Sequence, residues 1–271
     1  MPRLSRLRVY PIKSCRGYDL ATAHLDSLGM AGDRRYQVVG PTGKPFTQRN
    51  QPRLARVTAV RRDDHLHISS DGFGQVELPL IESLDRAPIT TEVWSTTGLR
   101  AAITSPEADR FFSDLLGTAA RLVQVGALFD RPVKNHPNAR VGFADSYPLL
   151  VISEASLDDL NDQLIAQGEA AVTMERFRPN LVITDCLPRA EDQWDRIRIA
   201  DTKFQTAGPC ERCIMTTLDP ATGERLGPEP LRTLAQDRRA PSSSGVNFGQ
   251  NLVHLTNAGT LTVGDNVEVL A

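Results

Sequence analysis

Leu54-Ala55-Arg56-Val57-Thr58-Ala59-Val60, Arg61-Arg62-Asp63-Asp64, His65-Leu66-His67-Ile68, Ser69-Ser70-Asp71-Gly72 and Val76-Glu77-Leu78 follow one another without a break in their pattern. Apolar residues alternate with polar ones inside each apolar piece, the two-residue period of a half-buried strand. Charged or Ser/Asp/Gly-rich turns separate the pieces. The same grammar extends outward. Upstream, Leu7 and Val9 alternate with arginines until Pro11, Gly29–Asp33 is a turn, and Arg34–Val39 is a strand. Gly40–Pro45 is dense in turn residues, and Phe46-Thr47-Gln48 reads as a further strand. Downstream, Thr91–Trp94 and Arg100–Ile103 complete the set. Short strands at this spacing predict a small sandwich or barrel.

Helices come later and are fewer. Ser105-Pro106-Glu107 is a helix start, with a serine cap, a proline in the first turn and an acid at the positive end of the dipole. Ala108, Phe111, Phe112, Leu115 and Leu116 share a face, and Gly117 ends the helix. Arg121–Val125 returns to strand, and Phe129–Gly142 reads as a long mobile loop. Pro148–Ile152 is a strand, Ser153 opens a helix that ends by Gly168, and Leu181-Val182-Ile183 is a buried strand. Strands at Ile197–Ala200, Leu252–Leu255, Thr260–Val263 and Val267–Leu270 follow, with a short helix over Leu231–Arg238. The expected fold is a β-rich α+β chain, divided near Thr104 into residues 1–104 and 105–271.

Composition narrows the function. The chain has 271 residues, 40% hydrophobic and 24% charged, with a net charge of −2. That balance gives no overall attraction to nucleic acid or to an anionic membrane, so any cationic site must be local. No apolar run approaches the ~20 residues of a membrane span. The basic N-terminus passes straight into strand-like sequence without a signal core, so a cytoplasmic location is expected. The four cysteines (Cys15, Cys186, Cys210 and Cys213) form no disulfide framework, and they are too few and wrongly spaced for an internal plant-type iron–sulfur module.

The chemistry concentrates in Gly208-Pro209-Cys210-Glu211-Arg212-Cys213-Ile214-Met215-Thr216-Thr217-Leu218-Asp219-Pro220. A structural zinc site needs about four ligands, and no second pair or H-x3-5-H matches this C-x-x-C. A thioredoxin-like dithiol needs a helix opening, which Ile214–Pro220 does not supply. An inert buried pair is the plain alternative. A single soft thiolate on a metal that arrives inside a cofactor is the other. The latter calls for cations to hold the cofactor's anionic groups, and Lys13-Ser14, Arg34 and Arg178-Pro179-Asn180 sit beside strand ends where such cations belong. Asp145-Ser146-Tyr147-Pro148 adds hydroxyls and a carboxylate suited to acid–base work, or simply to capping its own turn.

Tyr10-Pro11-Ile12-Lys13-Ser14-Cys15-Arg16-Gly17 and Gly32-Asp33-Arg34-Arg35-Tyr36 resemble the β-barrel domain found before MOSC domains. Ser153–Leu157, Arg176–Asn180, Cys210–Pro220 and Phe248-Gly249-Gln250-Asn251 resemble the MOSC domain itself. Together these motifs cover most of the chain, in order, and are most similar to the amidoxime-reducing component branch and its bacterial relatives. The resemblance implies an N-terminal β-barrel domain and a MOSC β-barrel domain with a few peripheral helices. It implies a molybdenum cofactor (Mo-molybdopterin), with Cys213 as the metal ligand and Cys210 as a neighbour. Lys13, Ser14, Arg34, Ser146, Tyr147, Arg178 and Asn180 then hold the pterin and its phosphate, and Asp145 is an acidic catalytic residue beside the metal. The activity implied is reduction of small N-hydroxylated compounds by oxygen-atom transfer. Bacterial relatives often carry a C-terminal ferredoxin domain; this sequence stops after its last strand, so a separate ferredoxin-like or cytochrome/flavin reductase donor is expected. A carrier of the cofactor or of persulfide sulfur is the alternative. The resemblance further implies pyridoxal phosphate binding at the level of the family.

Overall fold

The first strand of the chain is completed by strands from its second half. The structure is a computed structural model that describes residues 1–80, 88–241 and 243–270. Its largest sheet has eight strands, in the order β2 (Tyr18–Leu20), β1 (Arg3–Val9), β15 (Leu181–Thr184), β14 (Leu149–Ser153), β18 (Val246–His254), β17 (Thr202–Arg212), β16 (Arg196–Ile199) and β20 (Val267–Val269). β1 runs antiparallel to β15, with Leu7 opposite Leu181, and β14 runs parallel to β15, with Val151 opposite Leu181. One end of the sheet therefore collects the exit of β1 and the entries of β14 and β15. β17 and β18, paired with Pro209 opposite Gln250, bring the C-x-x-C segment to the same region through two register shifts. Bulges of this kind re-aim side chains near sites.

Alternation explains why β14 reads as continuously apolar. Leu149 and Val151 enter a cluster with Leu4, Leu7, Leu181, Ile197, Phe204 and Leu252 on one face. Leu150 and Ile152 enter another, under α2 (Glu154–Ala166) and α3 (Leu231–Asp237), with Leu160, Phe177, Leu234 and Phe248. A strand covered on both faces has no polar side to show.

The rest of the N-terminal half forms smaller sheets: β5 (Tyr36–Val39) with β11 (Arg121–Gln124), β10 (Thr96–Ile103) and β9 (Ile89–Val93), and the meander β6 (Thr58–Arg62), β7 (His65–Ser70) and β8 (Gly74–Pro79). β3 (Thr22–Asp26) pairs with β4 (Gly29–Met30) and with β19 (Gly259–Thr262) from the far end of the chain. α1 (Pro106–Leu116) begins as its sequence dictates: the Ser105 hydroxyl accepts from the Ala108 amide at 3.2 Å, and Gly117 closes the helix at φ 67°. Ala108, Phe111, Phe112 and Leu115 pack on Ile12, Leu54, Leu66 and Ile68, so this helix shares a core with the strands that precede it. The protein is a β-rich α+β fold, and no helix among the described residues is long and apolar enough to cross a membrane.

Three local expectations differ from the structure. Residues 54–56 belong to a 3-10 turn, Pro52–Arg56, because Pro52 sets a helical first turn and the strand starts only at Thr58. Phe46-Thr47-Gln48 is not a strand: the Asn50 side chain accepts from the Thr47 amide at 2.8 Å and closes a turn there. The expected mobile loop at 129–142 contains a hairpin, β12 (Pro132–Val133) with β13 (His136–Arg140). Val133 and Val141 beside it pack on Val253 of β18.

Gly17 sits where a side chain has no room. A Cβ there would lie 2.5 Å from the Tyr10 ring and 2.7 Å from the Val9 carbonyl oxygen. Gly17→Ala is expected to cost about 1–3 kcal/mol of stability by overpacking, read as a lower midpoint in urea denaturation. An unchanged midpoint would contradict this packing.

Candidate functional site

Each loop at the shared end of the large sheet contributes to one cavity of about 350 Å³. After β1 the chain supplies Lys13 and Ser14; before β15, Arg178 and Asn180; before β14, Asp145, Ser146 and Tyr147; after β17, Cys213. Arg34, between β4 and β5, completes the set. All nine residues singled out in the sequence line this cavity. Thr47, Arg49, Arg176, Cys210, Glu211, Arg212, Met215 and Asn251 also line it.

The cavity is strongly cationic. Lys13, Arg34, Arg49, Arg176, Arg178 and Arg212 face Asp145 and Glu211, six cations to two carboxylates in a chain whose net charge is −2. Arg34 and Arg178 lie on the Tyr10 ring, with guanidinium carbons 4.1 and 4.2 Å from its centroid. Tyr10 is buried, its hydroxyl donating to the Pro179 carbonyl at 3.2 Å. Cation–π contact holds the two arginines without itself supplying a countercharge, and Arg178 has no carboxylate partner among the described residues. Arg34 also donates to Asp33 at 2.7 Å, Asn180 Oδ1 at 3.1 Å and the Arg178 carbonyl at 3.1 Å. Arg178 makes no ion pair among the described residues; burial, then repulsion from Arg34, pushes its guanidinium down to about 10. An anion between these groups would relieve that repulsion.

Asn180 is a brace in this arrangement. Its amide donates to the Arg8 carbonyl at 3.1 Å, while its oxygen accepts from Arg34 and from the Leu150 amide at 3.3 Å. Ser14, Arg34 and Arg178 all have left-handed backbones, with φ of 66°, 46° and 58°. Each such non-glycine residue costs on the order of 1–3 kcal/mol, and strain of this kind clusters at functional sites.

Lys13 and Asp145 form an ion pair inside the cavity, and the Lys13 ammonium also donates to the Phe143 carbonyl at 2.9 Å. Partial desolvation at the cavity wall would raise the Asp145 carboxyl, but the Lys13 ammonium, then Trp94 and the charge of Arg49, override it and hold it well below the usual carboxylate range. Burial conversely lowers Lys13, opposed by Asp145. At neutral pH Asp145 is therefore a carboxylate, able to accept a proton, and the proton of the pair resides on Lys13.

The loop that carries Asp145 is held by Arg131, which the sequence did not single out. Its buried guanidinium donates to the carbonyls of Gly142 at 2.9 Å, Ala144 at 2.5 Å and Asp145 at 2.5 Å. Burial pushes this guanidinium down to about 10, with Asp145 opposing. Each cysteine of the pair has its own arginine. Arg212 donates to Cys210 Sγ at 2.9 Å, and Arg49 approaches Cys213 Sγ at 3.7 Å. β17 ends at Arg212, so Cys213 stands at the mouth of a 3-10 turn, Ile214–Thr217. Cys15 lies outside this chemistry, its thiol pushed up to about 12 by burial. Among the described residues no cluster of His, Cys, Asp and Glu forms a multidentate metal site. One soft thiol beside a surplus of cations over carboxylates fits a metal whose other ligands belong to an anionic cofactor.

Comparison with known proteins gives the same picture at the level of family. The MOSC N-terminal beta barrel domain matches residues 1–119, and the MOSC domain matches residues 138–268. Mitochondrial amidoxime-reducing component 1 of Homo sapiens is 33% identical, covering 98% of this chain and 82% of that protein. Mitochondrial amidoxime reducing component 2 of Bos taurus is 33% identical, covering 97% and 82%. Molybdenum cofactor sulfurase of Oryza sativa is 32% identical, covering 87% of this chain and 31% of that much longer protein. These relatives give no support to pyridoxal phosphate binding by this chain.

The Lys13–Asp145 pair has a definite acid signature. A carboxylate depressed on folding adds stability that is complete above its unfolded value of about 3.9 and is lost as the pH falls through the folded value. Asp145→Asn is therefore expected to lower the melting temperature at pH 7, with the gap from wild type closing as the pH approaches 2. A gap that stays constant across that range would contradict the pairing.

Proposed function

The chain belongs to the family of MOSC-domain proteins that includes the amidoxime-reducing components, and on that premise we propose that it is a molybdenum-cofactor oxidoreductase that reduces N-hydroxylated compounds. The observation that carries the reading is the convergence of Cys213 with six cationic side chains on one cavity. Cys213 supplies the thiolate ligand; Arg34, Arg178, Ser14 and Ser146 hold the phosphate and pterin; Tyr10 and Asn180 fix the arginines. When bound, the cofactor supplies two-electron oxygen-atom chemistry. The net change is that an N–OH group takes up two electrons and two protons, becoming N–H and releasing water.

The protein's own contribution is binding, charge and protons. Lys13 Nζ holds a proton at the cavity wall, where Asp145 and the Phe143 carbonyl fix that ammonium. The Arg49 guanidinium, 3.7 Å from the Cys213 sulfur, places positive charge beside it. Electrons come from a separate donor protein. The division of the chain, expected near residue 104, is proposed to fall beyond α1, since α1 packs on the strands before it and the N-terminal domain match runs to residue 119.

One relative favours a second reading. The likeness to a molybdenum cofactor sulfurase fits a carrier that holds the cofactor, or sulfur as a persulfide on Cys213, without reducing anything. Fold alone does not choose between them.

Cys213→Ser separates the readings. With a chemical reductant and cofactor-loaded protein, the variant is expected to lose at least about a thousandfold in N-hydroxy reduction, the scale of removing an essential catalytic group, while its melting temperature stays near wild type. Full turnover by the variant would overturn the ligand assignment. A persulfide on wild-type Cys213 in molybdenum-free protein, with no turnover when loaded, would establish the carrier instead.

A further inference from the structure

The turn between β9 and β10 has two residues, Trp94-Ser95, with Val93 paired opposite Thr96. Trp94 takes a left-handed backbone, φ 53°. Asn, Asp and Gly adopt that conformation at low cost in tight hairpins, and a bulky aromatic does not. Burial compensates little, because Trp94 is 53% exposed. Local preference and fold disagree at this residue, and such conflicts are expected where function requires them.

The surroundings say what the ring serves. Arg49 stacks over the indole, 4.4 Å from its centroid, and the same guanidinium lies 3.7 Å from Cys213 Sγ. The Trp94 side chain also helps to hold the Asp145 carboxyl low. Beside it opens a recess of about 220 Å³ lined by Pro45, Asn50, Glu92 and Trp94, which shares Lys13, Thr47 and Arg49 with the main cavity. A cavity of about 150 Å³ holds benzene, so one aromatic ring fits. The Glu92 side chain makes no ion pair among the described residues.

We propose that this recess is the substrate subsite, with Trp94 as the stacking platform and Glu92 as the partner of a flat, nitrogen-bearing group such as an amidine. The inference rests on the N-hydroxy reductase reading and adds to it where the substrate lies and what it looks like. An amidoxime is neutral and its amidine product is a cation, so Glu92 binds product more tightly than substrate. The indole face favours aromatic over small aliphatic N-hydroxy compounds. Arg49, between the ring and the thiol, marks the boundary between the subsite and the cofactor site.

Benzamidine, the product expected from the simplest aromatic amidoxime, tests the site without turnover. Calorimetric titration of the full chain is expected to show saturable binding, weakened about tenfold by Glu92→Gln and by Trp94→Asn. Circular dichroism is expected to show both variants folded like wild type, so that a loss of binding reports the lost side chain. In loaded protein, Trp94→Asn should raise KM for benzamidoxime at least about tenfold more than KM for N-methylhydroxylamine. No saturable benzamidine binding by wild type, or equal binding by both variants, also overturns it. Saturable binding that depends on Trp94 and Glu92, in protein that reduces no N-hydroxy compound, would uphold the subsite and refute the reductase reading.

Discussion

The antiparallel pairing of β1 with β15 joins residues about 175 positions apart, and the site exists because of it. Leu7 opposite Leu181 puts Tyr10, Lys13 and Ser14, just past one strand, against Arg178 and Asn180, just before the other. The parallel partner β14 adds Asp145 to Tyr147 at the same end, and the bulged β17 adds Cys213. None of these groups is near the others in sequence. What makes the pairing firm is burial: Leu4, Leu7, Leu181 and Ile183 are fully enclosed in one cluster, each contributing on the order of 1.5–3 kcal/mol.

Charge is the second constraint. Concentrating six cations in one cavity is unfavourable unless something holds them, and carboxylates would cancel the field they create. The fold relies mainly on an aromatic ring, backbone carbonyls and one amide, and among the described residues only Lys13 and Arg34 of the six also have a carboxylate partner, Asp145 and Asp33. Tyr10 lies under Arg34 and Arg178, Asn180 and the Arg178 carbonyl fix Arg34, and the Phe177 carbonyl accepts from Arg212 at 2.6 Å. Preorganised positive charge of this kind is suited to a phosphate and to a thiolate. Its cost appears as three left-handed non-glycine backbones at the cavity wall.

Much of this was legible in the sequence where the signal was local. Ser105 and Gly117 bound α1 through caps that any reader of the chain can place, and Ser153 does the same for α2. The continuous apolar run of β14 announced a strand buried on both faces. The expected site residues were found through motif likeness, and the fold gathers them into one cavity. Arg49 and Arg131 were missed because each acts through distance: one reaches a sulfur 164 positions away, and the other clamps three carbonyls of a loop that looked unstructured. Trp94 was read only as the end of a strand, since its left-handed backbone and its exposure appear only in the folded hairpin.

The claim at the centre of this account is that the basic cavity around Cys213 is a holder for the molybdenum cofactor. Its most direct test is the molybdenum and pterin content of protein purified from a host that makes the cofactor, set beside an Arg34→Ala/Arg178→Ala variant whose fold is verified by circular dichroism. The account predicts near-stoichiometric molybdenum and pterin in the wild type, with pterin largely lost from the folded double variant. Equal pterin in both proteins, or none in a wild type reconstituted with excess cofactor, would contradict it.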